Sequence, residues 1–384
     1  LVTDKQRIAT KEVYGMSSEI DKNYPEKIEH QYQLFVAKGQ ESQRVDQYLT
    51  AMIANATRTK VRYAIDTGNV TVNGVTVKAS RKVQPGDVII CTVMKLPPME
   101  LIPEDIPLNI VFEDDDVLVI NKQAGMVVHP GFGNRYGTVV NAVLWHLGER
   151  QPRVIAFEDN LSNETDEITE SSDTLFIVDQ NDDDVFRSAD VRPGIVHRLD
   201  MDTSGLMVVS KNPRNHAILA QQFADRTVER EYQALVWGVV REDHGTINAN
   251  LARSTRDRKL FQVVQKGGKI AITDYHVIQR FEYMTFLRLK LHTGRTHQIR
   301  VHCAWRKHPL FGDPQYGGDA IVYGGHNPVF RKKAHTMLQS FKRQALHAKT
   351  LGFRHPVSGA WMQFDSEIPD DMKKNLIFFQ DENL

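Results

Sequence analysis

Residues 194–209 read Gly-Ile-Val-His-Arg-Leu-Asp-Met-Asp-Thr-Ser-Gly-Leu-Met-Val-Val. The two apolar runs, Gly194 to Val196 and Leu206 to Val209, are too short for helices and rich in Val and Ile, so both are expected as strands. Asp202-Thr203-Ser204-Gly205 has the composition of a tight turn. Arg198 and Asp200 are two residues apart, so on an extended chain they point the same way. The stretch therefore asks for a sheet that delivers an arginine and a carboxylate to one surface at a strand end. A carboxylate beside a cation stays ionised within reach of a ligand.

At 384 residues the chain has room for two or three domains. It contains no apolar run of about 18 residues, so no membrane-spanning helix is expected. Cys91 and Cys303 lie far apart and are expected to be reduced core residues; with no apolar signal core at the first residues, the expected compartment is the cytoplasm. The net charge of zero hides an asymmetry. Residues 149–190 hold 13 acidic and 3 basic residues, leaving 45 basic against 35 acidic elsewhere, a body of charge +10. Such a body suits a polyanionic partner.

Residues 1–40 read as a polar tail. Within 41–95, Val45, Tyr48, Leu49, Met52 and Ile53 recur at helical spacing. Thr57 or Thr59 caps a second helix with Val61, Ala64 and Ile65 inward and Arg58, Lys60 and Arg62 outward. Two alternating runs around Asn73-Gly74 predict a hairpin, followed by Lys78, Arg81 and Lys82 and a strand near Val88. A proline-stiffened linker, 96–107, leads to a second domain, 108–384, interrupted by the acidic segment 149–190, which reads as a solvated loop insertion. A hairpin is expected around Glu113–Asp116, a helix over Thr138–Leu147, a helix capped by Asn212, and strands near 228–238, 245–250, 273–281 and 285–292. The class is α+β: a small N-terminal module, then a large, mostly antiparallel sheet with flanking helices. Near Leu291-His292-Thr293-Gly294-Arg295-Thr296-His297-Gln298-Ile299-Arg300, a strand, a turn and a helix starting at about Thr296 are expected, with Arg295 and Arg300 at an anion-friendly helix start. His292, His297, His302 and Cys303 match no common zinc spacing, and no metal is expected.

His197-Arg198-Leu199-Asp200-x-x-Thr203-Ser204-Gly205-Leu206 resembles the signature of pseudouridine synthases of the RluA/RluD type, which modify large-subunit ribosomal RNA. Further segments resemble the family's motifs in order: Asn121-Lys122-Gln123-Ala124-Gly125 (the family has Pro at Gln123), Arg230-Glu231-Tyr232-Gln233-Ala234, the 291–302 stretch, Gly312-Asp313-Pro314-Gln315-Tyr316-Gly317 and Arg343-Gln344-Ala345-Leu346-His347-Ala348. The module at 41–95 resembles an S4 RNA-binding domain, common at the N-terminus of that family. The resemblance implies the pseudouridine synthase fold and an isomerisation of uridine that needs neither redox cofactor nor metal. It makes Asp200 the catalytic carboxylate, with attack on C1′, attack on C6 and removal of a sugar proton all open. It makes Arg295 the ion-pair partner of Asp200, Tyr232 the aromatic against the target base, Arg198 the side chain that fills the gap left by a flipped base, and Leu346 the apolar floor. Arg58, Lys60, Arg62, Lys78, Arg81, Lys82 and Arg300 are expected to meet RNA phosphates. The implied partner of this monomer is ribosomal RNA or its precursor particles, with transfer RNA as the alternative substrate. A catalytically idle assembly factor is the rival function. An aspartic protease, suggested by Asp66-Thr67-Gly68 and Asp202-Thr203-Ser204-Gly205, lacks the symmetric pair such an enzyme needs.

Overall fold

The structure is a computed structural model that describes residues 8–13, 28–53, 56–95, 99–131, 134–156, 176–177, 194–257 and 259–380. The chain divides into two compact units, Leu1–Glu100 with Arg153–Gln180 and Leu101–Pro152 with Asn181–Leu384.

In the first unit, strands β1 (Ile8–Val13) and β2 (Ile28–Phe35) precede helices α1 (Val45–Met52) and α2 (Arg58–Asp66), then strands β3 (Val70–Val72), β4 (Val75–Thr76) and β5 (Val88–Lys95). The sheet order is β1-β2-β5-β3-β4. The helices form where the apolar spacing predicts: Val45, Tyr48 and Leu49 are buried on α1, and Val61, Ala64 and Ile65 on α2, against Val70, Val72, Val83 and Ile89. The Thr57 hydroxyl caps α2 by accepting from the Lys60 amide. Asn73 (φ 53°) and Gly74 (φ 82°) turn the hairpin between β3 and β4 with both residues left-handed, as an Asn-Gly loop favours.

The expected tail over 1–40 needs correction. Ile28–Phe35 is a central strand, paired antiparallel with both β1 and β5. Leu34 is buried and Tyr32 packs against the same core, while Gln31 and Gln33 alternate with them, so a one-sided strand looks polar when read as a run. Most of the acidic segment lies outside the described residues, as do 96–98 of the linker.

The second unit is built on one ten-stranded sheet. β6 (Met99–Leu101) lies at the boundary of the two units in sequence; β7 (Ile110–Glu113), β8 (Val117–Lys122) and helix α3 (Val139–His146) follow in the second unit, whereas β9 (Arg153–Ala156) and β10 (Phe176–Ile177), which pair with each other within the acidic segment, belong to the first. The chain continues with β11 (Gly194–Ile195), β12 (Ser204–Ser210), α4 (Pro213–Ala224), β13 (Glu229–Trp237), β14 (His244–Asn248), β15 (Asn250–Arg253), β16 (Phe261–Val264), β17 (Ile272–Arg280), β18 (Met284–Leu291), α5 (Gln298–Trp305), α6 (Pro328–Ser340), β19 (Leu346–Arg354), β20 (Trp361–Asp365) and α7 (Asp370–Gln380). The main order is β14-β17-β18-β13-β19-β12-β8-β7, with β11 on β12 and β20 on β19. The pairings are antiparallel except between β12 and β19, which run parallel. That junction brings two strand starts side by side. β15 and β16 form a separate hairpin against α5. Asn212 caps α4 through the Asn215 amide, and Thr138 and Asn141 form a capping box on α3. Among the described residues no helix is long and apolar enough to cross a membrane.

Candidate active site

The site grows from the parallel junction. Gly205 of β12 lies opposite Lys122 of β8 on one side and Ala348 of β19 on the other, and Ala348 lies opposite Tyr232 of β13. One row across four strands thus carries Lys122, Gly205, Ala348 and Tyr232. Gly205 has φ +122°, and a Cβ there would stand 2.3 Å from the Ala348 carbonyl oxygen, so only glycine lets the strands close. The β11–β12 connection, 196–203, projects from this row with Arg198 and Asp200. The strands flanking it are those expected from the sequence.

The Asp200 carboxylate is partly open, its side chain 22% exposed, and Oδ2 accepts from Arg300 Nη1 at 3.1 Å. Arg300 is itself buried, 4% exposed. Its Nε and Nη2 donate to Asp313 Oδ2 and Oδ1 at 2.7 and 2.8 Å, and Nη2 also donates to Gln315 Oε1 at 2.7 Å. Asp313 is fully buried and is held in turn by the Gln315 and Tyr316 amides. Burial works against the Arg300 charge, but Asp313 and then Asp200 outweigh it and raise its pKa. The fork of a guanidinium is what allows one cation to serve both carboxylates.

Two expectations change here. Arg295 does not pair with Asp200: Arg300 does, while Arg295 Nε donates to the Ile270 carbonyl at 3.2 Å. Arg300, expected on RNA phosphates, is instead enclosed with its donors committed to Asp313, Asp200 and Gln315. The cause is the helix start. α5 begins at Gln298, with His297 in left-handed conformation as its N-cap, so Arg300 stands in the first turn and leans back over the Asp200 loop.

The loop is clamped residue by residue. Lys122, 2% exposed, donates to the carbonyls of Gln123, Met126 and Met201 at 2.9, 2.8 and 2.8 Å. Three carbonyl acceptors call for all three ammonium protons, although burial pulls this lysine down to about 7 against the opposing pull of Asp202 and Asp200. Arg343 is held bidentate by Asp371 and donates to the Asp202 carbonyl at 3.2 Å. Gln344 reaches the Thr203 hydroxyl, and His347 sits between the hydroxyls of Ser204 and Ser366. His197 stacks on Phe223, and its Nε2 accepts from the Val208 amide at 3.0 Å. Burial, with Arg230 adding to it, lowers this imidazole to about 3, so it is neutral.

Tyr232 is buried, and its hydroxyl pKa is raised by burial and by the charge of Asp200, against Arg230. Leu346 is buried at the start of β19, opposite Ala234. Arg198 is exposed. Arg58, Arg62, Lys78, Arg81 and Lys82 are exposed on the first unit, with Lys60 half-buried beside them; Arg62 meets Asp66 at 3.7 Å and Arg81 meets Asp87 at 3.6 Å.

Lys122, Asp313, His297 and Tyr316 complete the surroundings of Asp200. The motif stretches contain them, but no spacing rule marked them. Among the described residues, the group with three metal-capable side chains is Asp114, Asp116 and His355. His355 Nδ1 accepts from the Val357 and Ser358 amides, so Nε2 carries the proton and donates to Asp114 Oδ2 at 3.0 Å. No lone pair of that ring faces the carboxylates.

The arrangement offers an anchored carboxylate beside a buried guanidinium, an apolar wall and a buried phenol. The sequence profile described as RNA pseudouridylate synthase matches residues 116–305, and that of the S4 domain matches 43–89. The chain is 43% identical over 346 residues to an "Uncharacterized RNA pseudouridine synthase" of Chlorobaculum parvum, covering 88% of this chain and 95% of that one. It is 38% identical over 341 residues to "Ribosomal large subunit pseudouridine synthase D" of Xylella fastidiosa, covering 88% and 90%. The protein of the same name from Vibrio cholerae is 38% identical over 346 residues, covering 89% and 94%.

Proposed function

The chain belongs to the RNA pseudouridine synthase family, with an S4 domain ahead of the synthase domain, and on that premise we propose that it isomerises specific uridines of large-subunit ribosomal RNA. The relatives named for that activity support the substrate. The observation that carries the assignment of the reaction to this site is the partly open carboxylate of Asp200, tied by Arg300 to the buried Asp313.

The reaction breaks the N1–C1′ bond, turns the uracil and joins C5 to C1′. N1 gains a proton and C5 loses one, so atoms and electrons balance without an oxidant, and cofactor-free chemistry suffices. Asp200 acts on the sugar or the base; attack on C1′, attack on C6 and removal of a sugar proton all begin from an ionised carboxylate. Arg300 keeps that carboxylate oriented. A stacked base cannot be reached, so the target nucleotide is flipped out at a cost of a few kcal/mol. Arg198, exposed next to Asp200, fills the gap it leaves. Tyr232 stacks on the uracil, a contact worth about 1–3 kcal/mol, and shuttles a proton: its hydroxyl hydrogen passes to N1 of the cleaved uracil, and the phenolate that remains takes up the C5 proton. Leu346 keeps water from the base. Arg58, Lys60, Arg62, Lys78, Arg81 and Lys82 give sequence-independent phosphate affinity. The enzyme acts as a monomer in the cytoplasm, on the RNA or its precursor particles.

The test is tritium release from large-subunit ribosomal transcripts labelled at uridine C5, with RNA in excess over protein. The expected result is multiple turnovers by the wild type and none by Asp200→Asn. Release by Asp200→Asn at the wild-type rate removes Asp200 from the mechanism, and binding without release by the wild type leaves an idle RNA-binding factor.

A further inference from the structure

The second oxygen of the Asp200 carboxylate faces a residue without a role in the scheme above. His297 Nε2 stands 3.9 Å from Asp200 Oδ1, too far for a direct hydrogen bond and close enough for one ligand atom to touch both. The imidazole is not loose. Its Nδ1 lies 2.8 Å from the Tyr316 hydroxyl, which also accepts from the Phe261 amide at 3.1 Å. The Phe261 and Tyr316 rings pack edge-on against it at 5.9 and 5.6 Å. The backbone at His297 is left-handed, φ 55°, where β-branched side chains are strained.

The protons on this chain can be assigned. The Tyr316 oxygen accepts from Phe261, and its own hydrogen needs an acceptor. Among the described residues that acceptor is His297 Nδ1. Nε2 then carries the imidazole hydrogen and presents it beside Asp200 Oδ1. Burial lowers the imidazole pKa, with Arg300 and Arg198 acting in the same direction against Asp200 and Asp313, so the neutral, single-donor form is the resting one.

We propose that His297 is a further catalytic residue, a neutral Nε2–H donor to an oxygen of the target nucleotide held against Asp200, with Tyr316 as the positioning residue that fixes its tautomer. This rests on the synthase reading above. The hairpin of β15 and β16 enters the same scheme through the Phe261 amide, so a segment outside the main sheet sets the orientation of a donor in the site.

The experiment measures kcat and KM by tritium release from C5-labelled large-subunit ribosomal transcripts for His297→Met, His297→Gln, Tyr316→Phe and the Tyr316→Phe/His297→Met double variant, each with a thermal midpoint to show folding. Glutamine places an amide N–H near the position of Nε2, and methionine does not. The expected result is a kcat loss of about 10²-fold or more for His297→Met, the size of losing one preorganised donor, with KM changed less than about threefold. His297→Gln is expected to recover most of that loss. Tyr316→Phe is expected to lower kcat by about tenfold alone and to add nothing to His297→Met. Wild-type kcat in His297→Met, equal loss in the Gln and Met variants, or additive loss in the double variant overturns the proposal alone. A wild-type chain that releases no tritium overturns the synthase reading, and this proposal with it.

Discussion

Replacing Arg300 separates the ion pair the fold makes from the one the motif suggested. The side chain makes four hydrogen bonds at 2.7–3.1 Å to Asp313, Asp200 and Gln315. Arg300→Met leaves Asp313, which is fully buried, without a cation, and breaking a buried pair from one side costs about 3–5 kcal/mol. For a unit of this size, each kcal/mol lowers the thermal midpoint by about 2–4 °C, so the expected fall is roughly 6–20 °C. Arg300→Lys keeps the charge but loses the fork, so it can hold Asp313 or Asp200 but not both. Its expected midpoint loss is about half that of the Met variant, with a kcat loss of about 10²-fold because Asp200 is no longer oriented. Arg295→Lys, whose parent side chain bonds the Ile270 carbonyl, is expected to stay within about threefold of wild-type kcat. Calorimetry and single-turnover tritium release on the three variants decide the matter. A wild-type-like Arg300→Lys beside an inactive Arg295→Lys would mean that Arg295, and not Arg300, orients Asp200.

Three further outcomes follow from the same geometry. Tyr232→Phe should bind RNA as the wild type does, by filter binding, while kcat falls by about 10²-fold or more through loss of the proton acceptor; unchanged turnover limits Tyr232 to stacking. Gly205→Ala places a Cβ 2.3 Å from the Ala348 carbonyl oxygen at φ +122°, so it should cost about 3 kcal/mol or more in denaturant titration and disturb the Asp200 turn; a midpoint equal to wild type contradicts the close approach. Burial first, and neighbouring cations second, hold His197 near 3 and His347 near 4, against an ordinary 6.5, so the unfolded chain takes up protons that the folded chain refuses. Their contribution to stability is complete above pH 6.5 and drains away as pH falls toward 4 and below. His347→Gln should flatten that acid slope, and an unchanged slope argues that His347 does not contribute to it.

The placement of the candidate residues is legible because they sit in contiguous stretches beside short strands with clear apolar patterns. Arg198 and Asp200 lie on the connection between β11 and β12, and Tyr232 and Leu346 on β13 and β19, at positions that the family resemblance singles out, and the S4 module follows from two amphipathic helices and an Asn-Gly turn. The partner of Asp200 was not legible, since it depends on where α5 begins. The sequence suggests a helix start at about Thr296, but α5 begins at Gln298, behind a His297 cap held left-handed with no side-chain cap bond. That two-residue shift moves the ion pair from Arg295 to Arg300. β2 was missed for a different reason: its buried Leu34 alternates with glutamines, and the pairing with β5 that makes it a strand lies more than fifty residues away. Lys122 gave no signal either, because a lysine buried by three carbonyls spells the same as one in solvent.

The most direct test of the central claim is base-resolution pseudouridine mapping of ribosomal and transfer RNA from cells carrying the intact gene, a deletion or Asp200→Asn. The expected result is that the same marks in large-subunit ribosomal RNA vanish in the deletion and in Asp200→Asn and persist with the intact gene. Marks that vanish in the deletion but persist in Asp200→Asn contradict it.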